Sequence, residues 1–289
     1  MAHNDLLLRY ASADSTAFSR PDFKIYIQFE KADGSQPMAA AGYEWYRTQG
    51  VGILSHFYDI SSGPYNQTNM NSFIDAMYAR HSGPYADLWY VDNEDSYYSF
   101  SVADASTCIT DTTNLISWAT SKFSTKGKTV GTDIALGAYS GAAAGLAIIG
   151  YPNYWNITQA GIATMEADND ACGYHVSRLW GFALPEVYTA NITRIAATVD
   201  ACAREKRRLG TSIKLIPLYW PNTASTTYEQ ATNFLEYCIR VPEVDGCAFW
   251  AVSGVDDPLP APDYYNTQTW MIAVNDFIAR YGLTVGSPF

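Results

Sequence analysis

The chain has 289 residues, 48% of them hydrophobic and 16% charged, with a formal net charge of −11. Such a composition supports a sizeable core and excludes a disordered chain. The excess of acid argues against nucleic acid, whose phosphates it would repel, and gives no support to binding an anionic membrane.

In chain order, Leu6 to Tyr10 is a short apolar run and Phe23 to Phe29 alternates like a strand. Ser35 to Gln49 reads as a helix, with Pro37 in its first turn, Met38, Ala41 and Trp45 on one face, and Gly50 ending it. Val51 to Tyr58 is the next strand. Asn69 to His81 is the clearest helix, because Met70, Phe73, Ile74, Met77 and Tyr78 recur at helical spacing. Gly83-Pro84 closes it and the strand Ala86 to Val91 follows. Asp111 to Lys126 is helical, Gly127 is its cap, and Thr129 to Leu136 is a strand.

Gly137 to Tyr154 is rich in Gly and Ala and reads as a short helix with a long loop. Asn156 to Ala167 is a weak helix and Tyr174 to Phe182 a strand. Val187 to Leu209 is a long helix whose last turn carries Lys206, Arg207 and Arg208 before Gly210. Ile213 to Tyr219 is a strand, Tyr228 to Ile239 a helix, and Cys247 to Val252 a strand. Thr267 to Tyr281 is the last helix, capped by Gly282.

Strands separated by helices define an α/β fold with a parallel sheet. About eight such units at this length fit a single (β/α)8 TIM-type barrel over residues 1–289. An open doubly wound sheet would be marked by a Gly-x-Gly-x-x-Gly turn after its first strand, and the sequence has none.

Leu88-Trp89-Tyr90-Val91-Asp92-Asn93-Glu94-Asp95 is an apolar strand ending in three carboxylates. Alternation puts Tyr90, Asp92 and Glu94 on one face. Neighbouring acids repel, which favours a protonated acid beside an ionised one. Glycoside cleavage uses that pairing, so Asp92 and Glu94 are the candidate catalytic residues. The competing reading is a solvated acidic loop.

Sites in a parallel barrel form at the strand carboxyl ends. On this reading those ends carry Gln28, Glu30, His56, Tyr58, Asp59, Asp133, Trp180, Phe182 and Glu186. Further along they carry Tyr219, Trp220, Asn222, Trp250, Ser253, Asp256 and Asp257. Acids and large aromatics recur there, and aromatics make up 15% of the chain, with 22 Tyr and 8 Trp. A large aromatic core and sugar-stacking platforms both account for that share. The candidate substrate-binding residues are His56, Tyr58, Trp180, Glu186, Tyr219 and Trp250. Trp180 and Trp250 are the preferred platforms, with Tyr219 next.

Other chemistries lack their residues. His56 and His175 have no partners at metal-ligand spacing, so no metal is expected. Ser140 lacks a Gly-x-Ser-x-Gly elbow, and there is no phosphate-binding Gly-x-x-x-x-Gly-Lys loop. No cofactor is expected. Cys108, Cys172, Cys202, Cys238 and Cys247 are odd in number and contain no Cys-x-x-Cys, so no disulfide framework is expected. No signal peptide is visible, and Ala142 to Ile149, the best apolar run, is too short to span a bilayer.

Four stretches resemble glycoside hydrolase family 25, the lysozyme-type muramidases. They are Phe23 to Gly34, Ala39 to Phe57, Leu88 to Asp95 with its Asp-x-Glu, and Lys128-Thr-Val-Gly131. The resemblance covers roughly the first half of the chain. It implies a barrel in which Glu94 is the general acid and Asp92 its charged partner, acting on an amino-sugar polymer such as peptidoglycan. The family also uses an aspartate on its first strand, where this chain reads Leu6-Leu-Leu-Arg-Tyr-Ala11; Asp256 and Asp257 are nearest to its last aspartate. Two readings follow: a glycosidase whose partner is a polysaccharide, or a barrel without catalysis that binds glycan or builds a virion or cell surface.

Overall fold

The structure is a computed structural model describing residues 20–31, 38–59, 65–80, 83–92, 105–140, 158–173, 179–221, 226–253 and 266–285. Eight strands form one sheet: β1 (Lys24–Lys31), β2 (Val51–Asp59), β3 (Leu88–Asp92), β4 (Ala135–Ser140), β5 (Phe182–Pro185), β6 (Lys214–Leu215), β7 (Leu218–Tyr219) and β8 (Gly246–Ser253). Every ladder is parallel, in the order β6-β5-β4-β3-β2-β1-β8-β7. The two ends of that order, β6 and β7, are separated in the chain only by Ile216 and Pro217. The sheet therefore curls back on itself, as a (β/α)8-class barrel requires.

The joint is where proline interrupts the ladder, since it has no N–H to donate. Flanking groups bridge it. Ile216 N–H donates to the Ala183 carbonyl at 3.0 Å, Val187 N–H to Leu218 at 2.8 Å, and Ala248 N–H to Pro217 at 2.9 Å.

Seven α-helices fill the described connections: α1 (Ala40–Thr48), α2 (Gln67–Ala79), α3 (Ala105–Ser124), α4 (Gln159–Asp168), α5 (Ile192–Leu209), α6 (Tyr228–Arg240) and α7 (Thr269–Tyr281). Local chemistry sets their ends. Asn66 accepts from Asn69 N–H to start α2, Asn191 accepts from Thr193 and Arg194 to start α5, and Thr227 and Gln230 form a capping box on α6. Gly210 and Gly282 close α5 and α7 in the left-handed conformation, at φ 60° and 61°.

Several boundaries differ from the sequence expectation. Strand β4 begins at Ala135, not Thr129. The Asp133 carboxylate accepts the Thr129 N–H at 2.8 Å and folds the preceding residues into a turn. Asp133 thus precedes β4 and sits at the amino end of the barrel, away from the strand ends where it was expected. Strand β5 begins at Phe182 rather than Tyr174. Helix α5 begins at Ile192 rather than Val187 because Asn191 caps it, and α3 begins at Ala105 rather than Asp111. The expected strand Leu6 to Tyr10 lies outside the described residues, as does the chain from 141 to 157.

Alternation along the strands divides the core in two. Tyr26, Leu54, Leu88, Tyr90, Phe182 and Leu218 fill the barrel interior. Ile25, Ile53, Phe57, Trp89, Val91 and Phe249 pack outward against the helices. Glycine makes room for two inner rings: a Cβ on Gly52 would lie 2.5 Å from the Tyr26 ring, and one on Gly137 2.5 Å from Phe182.

Charge pins the amino end. Asp87, just before β3, accepts from Arg47 Nη1 at 2.6 Å and from Ile53 N–H at 2.9 Å. Asp245, just before β8, accepts from Lys206 Nζ at 2.6 Å, Lys214 Nζ at 3.1 Å and Leu215 N–H at 2.9 Å. None of the described helices is long and apolar enough to cross a membrane.

Candidate functional site

The interior positions above the apolar layer converge at the carboxyl ends of the strands. Parallel pairing sets Gln28 beside Trp250 and His56 beside Tyr90. After His56 the register shifts, so that Tyr58 pairs with Val91 and Asp59 with Asp92. Two adjacent strands therefore end in acidic positions at one level.

A polar chain crosses the mouth on one side. Tyr90 Oη donates to Gln28 Oε1 at 2.7 Å, and Gln28 Nε2 lies 3.2 Å from His56 Nδ1. The Gln28 amide, held by Tyr90, thus faces Nδ1 of the ring, with donor and acceptor set by the tautomer. Gln28 and Tyr90 are buried and His56 is half-buried. The chain thus orients the plane of the imidazole. Opposite it, Tyr139 Oη donates to Glu186 Oε2 at 3.1 Å, which holds the carboxylate at the end of β5.

Aromatic rings link the two sides. His56 to Tyr90 is 5.9 Å between centroids, Tyr90 to Tyr139 6.2 Å, and Tyr139 to Tyr188 6.3 Å. Tyr188 then meets Trp250 at 6.2 Å and Trp220 at 5.5 Å, and the two tryptophans are 4.8 Å apart. Tyr188, Trp220 and Trp250 are all half-buried, so part of this triangle faces solvent.

The structure brings together Asp92, His56, Glu186 and Trp250 from the expected set. Asp92 follows Leu88 and Tyr90 on the interior face and is half-buried. Glu94 lies outside the described residues. Tyr58, Trp180 and Tyr219 belong elsewhere. Tyr58 is in the outer core, Trp180 packs on Phe57 at 6.4 Å, and Tyr219 stacks on Phe234 at 4.9 Å. Burial against the helices removes them from any ligand. Trp220, one residue on from Tyr219, takes the mouth position. Tyr139 and Tyr188 lack a strand-end signal in the sequence, because a strand expected over Thr129 to Leu136 ends before Tyr139 and a helix expected from Val187 encloses Tyr188. The alternation Leu136, Ala138 out and Gly137, Tyr139 in was the available signal. Among the described residues, no group of three His, Cys, Asp or Glu side chains could hold a metal ion.

No protein-family model matches the chain, and no curated protein matches it. The resemblance to glycoside hydrolase family 25 stands on the quoted residues alone. Solved structures align with most of its length. A candidate alpha-L-fucosidase from Bacteroides thetaiotaomicron VPI-5482 is 8% identical with a TM-score of 0.51, over 92% of this chain and 95% of that one. A GH128 curdlan-specific exo-beta-1,3-glucanase from Blastomyces gilchristii is 12% identical with a TM-score of 0.39, covering 82% and 84%. Thiamine phosphate pyrophosphorylase from Pyrococcus furiosus is 11% identical with a TM-score of 0.33, covering 91% and 96%. At such identities a likeness speaks for fold alone, and of these three only the first is near enough to carry even that.

Proposed function

We propose that this chain is a glycoside hydrolase-like barrel, one domain over residues 1–289, that takes a polysaccharide across its carboxyl mouth. The supporting observation is the arc of rings from His56 through Tyr90, Tyr139 and Tyr188 to Trp220 and Trp250, interleaved with Asp92 and Glu186. Flat apolar ring faces stack on sugar rings, and carboxylates protonate leaving oxygens or stabilise the cationic centre. Asp92 and Glu94 are the proposed catalytic pair on an amino-sugar polymer such as peptidoglycan. His56, Glu186, Trp220 and Trp250 are the proposed ligand contacts.

Hydrolysis of peptidoglycan and of chitin oligomers by the parent and by Glu94→Gln tests this. Loss of one general acid should lower the rate on the order of a hundredfold or more. A second reading draws on the first-strand position, which carries Arg9 or Tyr10 where the resembled family has an aspartate. On it the barrel binds glycan without cleaving it. Ligand-dependent tryptophan fluorescence with no turnover of either polymer would select that reading.

A further inference from the structure

Irregular pairing surrounds His56. The ladder of β1 on β2 runs from Ile25–Val51 to Ile27–Ile53, and farther along β2 its register on β3 shifts between His56 and Tyr58. Irregularities of this kind re-aim side chains beside binding sites. Side chains hold the ring where the ladders give way. The imidazole lies between two other rings, Phe73 of α2 at 5.2 Å and Tyr90 of β3 at 5.9 Å between centroids. Such packing is indifferent to a half-turn of the imidazole, which exchanges Nδ1 with Cδ2 and Nε2 with Cε1. Gln28 is not indifferent. Its Nε2 lies 3.2 Å from Nδ1, and only a ring nitrogen at that edge completes a hydrogen bond.

Gln28 is an unusual residue for its place. Among the described residues, the buried polar side chains on strands, tyrosine aside, are Gln28 and Ser55. Ser55 alternates outward with Ile53 and Phe57, whereas Gln28 alternates inward with Tyr26, amid Leu54 and Leu88. An amide in an apolar layer costs stability unless its polar atoms are bonded. Here Tyr90 Oη donates to Oε1 at 2.7 Å while Nε2 meets the imidazole. Satisfied buried networks of this sort specify one arrangement of their members. Gln28 and Tyr90 are each 4% exposed, too little to touch a ligand, whereas His56 is half-buried at the mouth.

We infer that Gln28, backed by Tyr90, is the positioning residue of this mouth: acting through His56, it selects one ring orientation and one tautomer, and so decides which atom the imidazole turns to the sugar. The ligand in this inference rests on the carbohydrate reading above; the device rests on the geometry. Each orientation of the amide admits one neutral tautomer. With the amide nitrogen toward the ring, Nδ1 accepts and the ring's Nε2 carries the proton; with Oε1 toward the ring, Nδ1 carries it. A ring left to turn would offer donor, acceptor and C–H in the same place.

The test uses the isotope-labelled full chain at about pH 8, above the ordinary imidazole value, and reads the His56 ring nitrogens by NMR, assigned by their loss in His56→Asn. The parent should show one tautomer. Gln28→Met combined with Tyr90→Phe removes both polar partners together, which keeps stability near that of the parent. In it the two ring nitrogens should draw toward the average of the tautomers. Gln28→Glu accepts from Tyr90 and from a protonated Nδ1, and should restore a single form. Binding of chitin oligomers, read by tryptophan fluorescence, should weaken about two- to tenfold in the double variant and as far in His56→Asn. A folded double variant that keeps the parental ring signature or the parental affinity overturns the inference, as does a parent that already averages two tautomers. Gln28→Met alone gives the same reading should the double variant not fold. A parent that responds to no chitin oligomer overturns the carbohydrate reading, and the ring nitrogens then decide the positioning by themselves.

Discussion

Side by side, Tyr219 and Trp220 show how one residue of register decides between core and site. Tyr219 is buried against Phe234, while Trp220 reaches the ring triangle. Trp220→Ala should therefore weaken glycan binding by about 1–3 kcal/mol with little change in stability, whereas Tyr219→Ala should destabilise the fold by about 3–5 kcal/mol. Ligand titration and urea denaturation of both variants separate the two effects. Gly137 makes a different point. Its Cβ would lie 2.5 Å from the Phe182 ring, so Gly137→Ala should lower the urea midpoint by the equivalent of about 1–3 kcal/mol. The interior positions of Asp92, His56 and Trp250 were legible in the sequence, whereas Trp180 and Tyr219, expected as platforms, are core residues. The Tyr139–Glu186 contact was not legible, because it joins residues on different strands whose register no local pattern sets.

At the scale of elements, ends were the most legible feature where a cap residue carries the signal. Gly210 and Gly282 close α5 and α7 where expected. Ends set by a side chain reaching across a turn, such as Asp133 on Thr129, were misread because the same residues also suit a strand. Strand amino ends depend on buried charge. Burial pushes the Asp87 carboxyl up from its ordinary value, and Arg47 pulls it only part of the way back. Because the folded value is raised, ionising Asp87 subtracts stability as pH rises from the ordinary carboxylate value to the raised one. Its hydrogen bonds still matter more than its charge. Asp87→Ala strands the Ile53 N–H and Arg47, and should cost about 1–3 kcal/mol in chemical denaturation, with Asp87→Asn recovering part of it.

For the whole molecule, the alternation of strands and helices announced the barrel, but its closure is a matter of which strands meet. Acid sensitivity is spread over the surface. Asp22 is held below the ordinary carboxylate range chiefly by Arg20, and Asp75 by Lys122 and Lys126. Such depressed groups contribute fully above about pH 4 and lose that contribution as pH falls through their folded values. The stability gap between the parent and Asp75→Asn should thus be present at neutral pH and close in acid, as thermal melts across pH would show. The pairing of β1 with β8 bears on synthesis. Lys24 lies opposite Gly246, more than two hundred residues later, and that ladder runs the whole length of both strands. Until β8 leaves the ribosome, one edge of β1 has no partner, and Phe23, Ile25, Ile27 and Phe29 border it. A nascent chain released before Gly246 should therefore be a substrate for chaperones rather than a smaller folded protein, and folding of this barrel should be largely post-translational.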